Sequence, residues 1–299
     1  MAVANTVSEQ LLKPGNIRQR LQDDGYLVAQ QSTPEHTMLA LRYKLMAFFE
    51  ERRHNAQPTQ VQKSTYKQYR DIIPYGVNEF PELMPILFSP DILAICRTAL
   101  GDDFVFLPEN TVMRDYFNTL HTDFTEPELL GHNFHKESDF KKLTIGIYLQ
   151  ENIDNDGGMF LVPGSHNRQD PYVSIRLAQQ AFERSRVKKF LAKLSGNRLY
   201  NYHKLLRVDK NGIDLPNKPG DALIFDGRLA HRASIPNSGK WTPKGEKLAL
   251  FYGVMSNNRH VDAYIGYLRD LKRDFYSYID EPRHPDIVRF CEKEGITLR

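Results

Sequence analysis

The spacing of apolar residues changes near residue 104, and the change splits the chain into two kinds of structure. Before it, Met38, Leu41, Leu45, Phe48 and Phe49 recur along one helical face. Ser32-Thr33-Pro34-Glu35 just ahead supplies an N-cap, a first-turn proline and a capping glutamate. Ser89-Pro90-Asp91 opens a second helix and Gly101 closes it, so residues 1–103 are expected to be mostly helical. Beyond Phe104 the period falls to two. Leu143, Ile145, Ile147 and Leu149 alternate with Thr144, Gly146 and Tyr148, and Leu248, Leu250, Tyr252 and Val254 alternate with Lys247, Ala249, Phe251 and Gly253. Met159–Val162 and Ala222–Phe225 are short apolar strands beside Pro163-Gly164 and Pro219-Gly220 turns.

Many short strands bounded by turns predict a mainly β protein with flanking helices. Its core is a double-stranded β-helix, the jelly-roll or cupin-like architecture, over 104–256. A basic helical insertion is expected at about 173–206 (Arg176, Arg184, Arg186, Lys188, Lys189, Lys193), and a helical extension over 257–299. No repeat or low-complexity linker interrupts the 299 residues, which favours a single domain.

Composition narrows the function more than the fold. Forty Lys+Arg against 37 Asp+Glu is too balanced for a nucleic-acid partner. Two cysteines, Cys96 and Cys291, make neither a disulfide framework nor a zinc pattern. There is no long apolar run, and Met1–Pro14 lacks the apolar core of a signal peptide, so a cytoplasmic protein off the membrane is expected. A nucleotide-binding glycine loop and a Ser-His-Asp pattern are also missing from the sequence.

The chemistry lies in the histidines. His135-Lys136-Glu137, read as extended chain, puts an imidazole and a carboxylate on the same side at i and i+2. His231, after the Pro219–Asp226 turn and strand, closes a facial triad of two nitrogens and one oxygen. Such a triad leaves positions open on non-haem Fe(II). His121-Thr122-Asp123 offers the same pattern fourteen positions earlier.

The run from His135 through Leu143–Leu149, Asn155-Asp156-Gly157-Gly158, Pro163-Gly164-Ser165-His166 and Gly220-Asp221 to His231 resembles the phytanoyl-CoA dioxygenase family. Asp24-Gly25-Tyr26-Leu27-Val28 resembles the family's opening region, and the likeness covers roughly 16–256. It implies a jelly-roll oxygenase using Fe(II), 2-oxoglutarate and O2, which hydroxylates an unactivated C–H of a small-molecule substrate and releases succinate and CO2. The family's usual His-x-Asp favours His121 and Asp123. Spacing, about thirty residues ahead of Pro-Gly-Ser-His, favours His135 and Glu137 as the ligands with His231. The upstream pair, in a spacing like that of ectoine hydroxylase, remains the alternative.

The family's arginine for the far carboxylate of 2-oxoglutarate is replaced by Lys247, a point charge in place of a bidentate fork. Thr144 and Tyr148 are further candidates for that carboxylate, with Arg232 and Arg259 as fallback cations. Arg114, if turned into the barrel, would meet an anionic substrate, and Arg232 is a second substrate candidate. Monomer and homodimer are equally compatible with the chain. The Lys-for-Arg and Glu-for-Asp departures leave two other classes open: a non-catalytic jelly-roll module that binds a small molecule or serves as a scaffold, and a cupin-like isomerase or hydrolase.

Overall fold

The alternation over 143–149 becomes the middle strand of a large antiparallel sheet in the computed structural model. This structure describes residues 13–55, 71–114, 119–150, 158–185, 187, 190, 209–234, 247–271 and 279–299. In chain order the main elements are α1 (Pro14–Asp23), β1 (Tyr26–Ala29), α2 (Glu35–Asn55), β2 (Asp71–Pro74), α3 (Pro90–Leu100), β3 (Val105–Arg114) and α4 (Thr125–Leu129). They continue as β4 (Lys142–Tyr148), β5 (Met159–Leu161), α5 (Pro171–Arg184), β6 (Ile213–Leu215), β7 (Ala222–Asp226), β8 (His231–Ala233) and β9 (Leu248–Met255). The chain closes with α6 (His260–Asp270), α7 (Pro285–Glu294) and β10 (Thr297–Leu298).

Seven strands form the larger sheet in the order β1-β7-β4-β9-β3-β10, with β2 also on β3; β6-β5-β8 form the smaller. Strand parity decides what each face meets. Leu143, Ile145 and Ile147 join Leu248, Leu250, Tyr252 and the apolar faces of α2 and α3 in the main core. Ile145 and Ile147 are fully buried, and each such side chain contributes roughly 1.5–3 kcal/mol. The opposite face of the large sheet brings Leu223, Phe225 and Phe251 against Met159 and Leu161 of the small one. That second interface is the inside of the jelly roll.

Two expectations need correction at the ends of the chain. The N-terminal region is helical as expected but also contributes β1 and β2: Tyr26–Ala29 pairs with Phe225–Ala222, and Asp71–Pro74 pairs with Arg114–Thr111. The C-terminal segment carries the expected helices and then ends in β10, parallel to Val105 and Phe106. Of the expected insertion, α5 is described, whereas Arg186, Lys188, Lys189 and Lys193 lie outside the described residues, as do Asn155, Asp156 and Gly157. Among the described residues no single helix is long and apolar enough to cross a membrane.

Candidate metal centre

β8 begins at His231, immediately after a turn whose Leu229 amide donates to the Asp226 carbonyl. Main-chain bonds run both ways between His231 and His121, at 2.8 and 3.0 Å, so residue 121 extends the small sheet by one bridge. Directly paired residues point to the same face. The two imidazoles therefore emerge side by side, with ring centroids 4.4 Å apart. Two residues beyond His121, Asp123 returns to that side, and its Oδ1 lies 3.6 Å from His231 Nε2. Ligand atoms of His121, Asp123 and His231 all lie within 4.8 Å of one another.

The surroundings fix which atoms face inward. His121 Nδ1 lies 2.7 Å from the Thr119 carbonyl, and His231 Nδ1 lies 2.9 Å from the Leu229 carbonyl. A carbonyl only accepts, so each Nδ1 carries the proton and each Nε2 keeps its lone pair for a metal. Thr122, between His121 and Asp123, faces the other way and donates to Asp170 Oδ2 at 2.8 Å; Thr125 donates to the same oxygen at 2.7 Å. Asp123 Oδ2 receives the Thr144 hydroxyl and the Lys142 ammonium, which leaves Oδ1 toward the histidines. Gly227 closes the floor by accepting from the Asp123 amide at 2.9 Å. A β-carbon on Gly227 would sit 2.9 Å from the Phe124 ring and 3.2 Å from Asp123 Oδ2.

Electrostatics agree with this donor set. Burial, then the neighbouring His231, pulls the His121 pKa down to about 3, so its ring is neutral as ligation requires. Burial by itself raises the Asp123 carboxyl, but Lys142, His231 and the Thr144 hydroxyl outweigh it and hold the group well below the usual carboxylate range. Lys142 is the converse: burial lowers its pKa, and Asp123 with Glu109 raises it further, so it stays an ammonium.

A pH dependence follows for the metal-free protein. An unfolded histidine titrates near 6.5 and His121 near 3, so the unfolded chain binds more protons between these values. The stability contributed by neutral His121 is complete above about 6.5 and lost as pH falls toward about 3. Urea midpoints in chelator should drop between pH 7.5 and 5, and His121→Asn should flatten that part of the curve. An equal slope in the variant would contradict it.

The structure does not bring His135 and Glu137 to His231, which corrects the ligand pair favoured by spacing. Phe134–Lys136 is a 3-10 turn, where successive side chains are about 120° apart, so i and i+2 diverge. His135 stacks on Phe124 at 5.0 Å and points its Nε2 to Glu128, 3.3 Å away. Glu137 is exposed and lies 3.8 Å from Arg259. Arg259 itself is exposed beside Asp139, away from the ligand cluster.

Two arginines also face elsewhere. Arg114 pairs with Leu248 on the helix-packed face of the large sheet, where it bonds Glu50 and lies over the Phe49 ring. Arg232, between inward His231 and Ala233, points outward onto Phe160 at 3.8 Å and donates to the Ala233 carbonyl. The same parity turns Thr144, Tyr148 and Lys247 inward. Thr144 is claimed by Asp123, which corrects its expected place at the co-substrate carboxylate. Lys247 is buried, with its ammonium 5.9 Å from the centre of the Tyr148 ring. Among the described residues the buried Tyr148 hydroxyl has no hydrogen-bond partner.

With the His-Asp-His cluster inside a jelly roll established, similarity to known proteins identifies the class. The family model described as phytanoyl-CoA dioxygenase (PhyH) matches residues 21–241. This chain belongs to the phytanoyl-CoA dioxygenase family. It is a 2-oxoglutarate-dependent dioxygenase that works with Fe(II) and O2. Among solved structures, the carbocyclase SnoK from nogalamycin biosynthesis is similar at 17% identity, with 86% of this chain and 92% of that chain covered and a TM-score of 0.51. HygX from Streptomyces hygroscopicus, solved with nickel and 2-oxoglutarate bound, is 15% identical over 80% of this chain and 87% of that one, with a TM-score of 0.51. EctD from S. alaskensis with bound Fe is 16% identical over 80% and 75%, with a TM-score of 0.50. At such identities the likeness shows the shared fold. No protein of curated function matches the chain.

Sequence reasoning passed over Lys142, Gly227 and the Thr122/Thr125/Asp170 clasp, which surround the His121–Asp123–His231 cluster. The alternation itself carried a signal for Lys142, which shares the parity of Thr144 and therefore points inward. Gly227 and Asp170 meet the ligand loop only through the fold, and no local pattern marks them.

Proposed function

We propose that this dioxygenase hydroxylates an unactivated C–H bond of a small-molecule substrate, with His121, Asp123 and His231 as the iron ligands. The observation that carries the reading is the converging pair of Nε2 atoms with Asp123 Oδ1, each oriented by a backbone carbonyl or a side-chain donor. Two neutral imidazoles and one carboxylate suit Fe(II) and cover only one side of it. When bound there, iron supplies the activation of O2 that, with 2-oxoglutarate, breaks a C–H bond. The balance is R–H, O2 and 2-oxoglutarate giving R–OH, succinate and CO2.

The protein's own residues do the positioning. Lys247, inward with its ammonium 5.9 Å from the centre of the Tyr148 ring, is the anchor for the far carboxylate of 2-oxoglutarate, and the Tyr148 hydroxyl, without a hydrogen-bond partner among the described residues, donates a hydrogen bond to it. Asp123 fills the protein position that a halide would need, which speaks against halogenation. The apolar inner face of Leu223, Phe225 and Met159 excludes water beyond the ligand end.

The test has two stages. Anaerobic addition of Fe(II) and 2-oxoglutarate should give the visible charge-transfer band of a metal-bound keto acid, and O2 should then yield succinate. With candidate substrates, the product should gain one oxygen atom. A product of unchanged mass would indicate epimerisation, and loss of two hydrogens would indicate ring closure or desaturation; either would overturn the hydroxylase reading. Absence of both band and succinate would sink the iron assignment itself.

A further inference from the structure

Lys142 opens β4 on the inward side and is buried to 2% exposure. Its ammonium lies 3.0 Å from Asp123 Oδ2, 3.0 Å from Thr144 Oγ1 and 2.7 Å from Glu109 Oε1. The rings of Phe124 and Tyr264 flank it, with centres 5.8 and 5.4 Å away. Glu109 in turn accepts a hydrogen bond from the Tyr264 hydroxyl on α6. The place for Glu109 is built into the sheet: a β-carbon on Gly253 would sit 2.5 Å from its Oε1. A carboxylate, an ammonium, a second carboxylate and a phenol thus form a continuous chain of contacts from Asp123 to α6. That helix lies beyond residue 241, where the match to the family model ends.

Charged groups are costly to bury unless each is paired, so an arrangement this complete is high-stakes structure. Its position gives it chemical consequences too. With Oδ2 held by an ammonium and a hydroxyl, Asp123 cannot swing to bidentate ligation without breaking both bonds. Metal positions needed by 2-oxoglutarate and O2 therefore stay open. The ammonium also competes with the metal for the charge on Asp123, which makes the carboxylate a weaker donor.

We propose that Lys142 is a positioning residue that holds Asp123 to one metal-bound oxygen and lowers its donation, with Glu109 and Tyr264 of the C-terminal segment holding Lys142 in turn. The proposal rests on Fe(II) binding at His121, Asp123 and His231. Outer partners of metal ligands commonly change affinity or activity roughly 10–100-fold. The effect here belongs to the electron density at the metal and is therefore visible in its spectrum.

The experiment uses Lys142→Met, Lys142→Arg and the double variant Lys142→Met/Glu109→Gln, which removes one charge of each sign, keeps the net charge of the cluster and serves if the single variant fails to fold. Each is loaded anaerobically with Fe(II) and 2-oxoglutarate. Loss of the ammonium strengthens Asp123 as a donor, so the charge-transfer band should move to longer wavelength. Ferrous protein without co-substrate should also autoxidise about tenfold faster or more. Lys142→Arg, which keeps the charge, should stay near the parent in both. A folded double variant with the parent's band and autoxidation rate would overturn the proposal. If the parent protein gives no band, the iron assignment fails first, and the two failures are thereby distinguished.

Discussion

Asp123→Ala should abolish Fe(II)-dependent succinate formation and the anaerobic charge-transfer band, while Glu137→Ala should leave both close to the parent. The contrast follows from where the two carboxylates sit. Asp123 Oδ1 lies 3.6 Å from His231 Nε2, in a pocket floored by Gly227. Glu137 is an exposed side chain near Arg259, and surface ion pairs of that kind contribute about 0–1 kcal/mol. Removing the sole oxygen ligand of the cluster costs more than losing an outer partner, so activity should fall well beyond roughly 100-fold. His231→Ala and His121→Ala should behave like Asp123→Ala. His135→Ala should affect stability, through its lost stacking on Phe124, and leave the band in place. Full activity in Asp123→Ala would refute the ligand set. Loss of the band in Glu137→Ala with an intact fold would restore the downstream pair.

Much of the fold was legible because strand parity is a local property. The alternation at 143–149 identified β4 and separated Leu143, Ile145 and Ile147 from Thr144 and Tyr148 on the opposite face, and the alternation from Lys247 did the same for β9. His231 was legible for a similar reason, because a turn and a short buried strand lead straight to it. The carboxylate was harder. Reading His135-x-Glu137 as a ligand pair assumed an extended backbone, whereas Phe134–Lys136 closes a 3-10 turn and sends the two side chains apart. Spacing along the chain carried no information about that turn. The chemical preference for aspartate pointed to His121 and Asp123, and a single main-chain bridge between residues 121 and 231, which no local pattern encodes, is what brings them together. Arg114 and Arg232 show the same limit: parity decides their direction, but only known strand partners say which parity faces inward.

Lys247→Met should raise the KM for 2-oxoglutarate by about 10–100-fold with kcat at saturation little changed, the result expected when a charge-assisted bond of roughly 1.5–3 kcal/mol is removed from ground state and transition state alike. Lys247 is only 5% exposed at the inward start of β9, where the low local dielectric strengthens a bond between its ammonium and a carboxylate. The far carboxylate of 2-oxoglutarate supplies that partner, and the buried Tyr148 hydroxyl, which has no hydrogen-bond partner among the described residues, has a bond to give. Tyr148→Phe removes only a neutral donor, worth roughly 0.5–1.5 kcal/mol, so its effect should be several-fold. Lys247→Arg tests geometry apart from charge: the fork can hold a carboxylate by two bonds, and co-substrate affinity should be kept if the pocket admits its bulk. Anaerobic titration of the charge-transfer band reads these affinities directly, without turnover. An unaltered KM in Lys247→Met would move the anchor to another cation and leave the iron ligands untouched, because Lys247 takes no part in the His121–Asp123–His231 cluster.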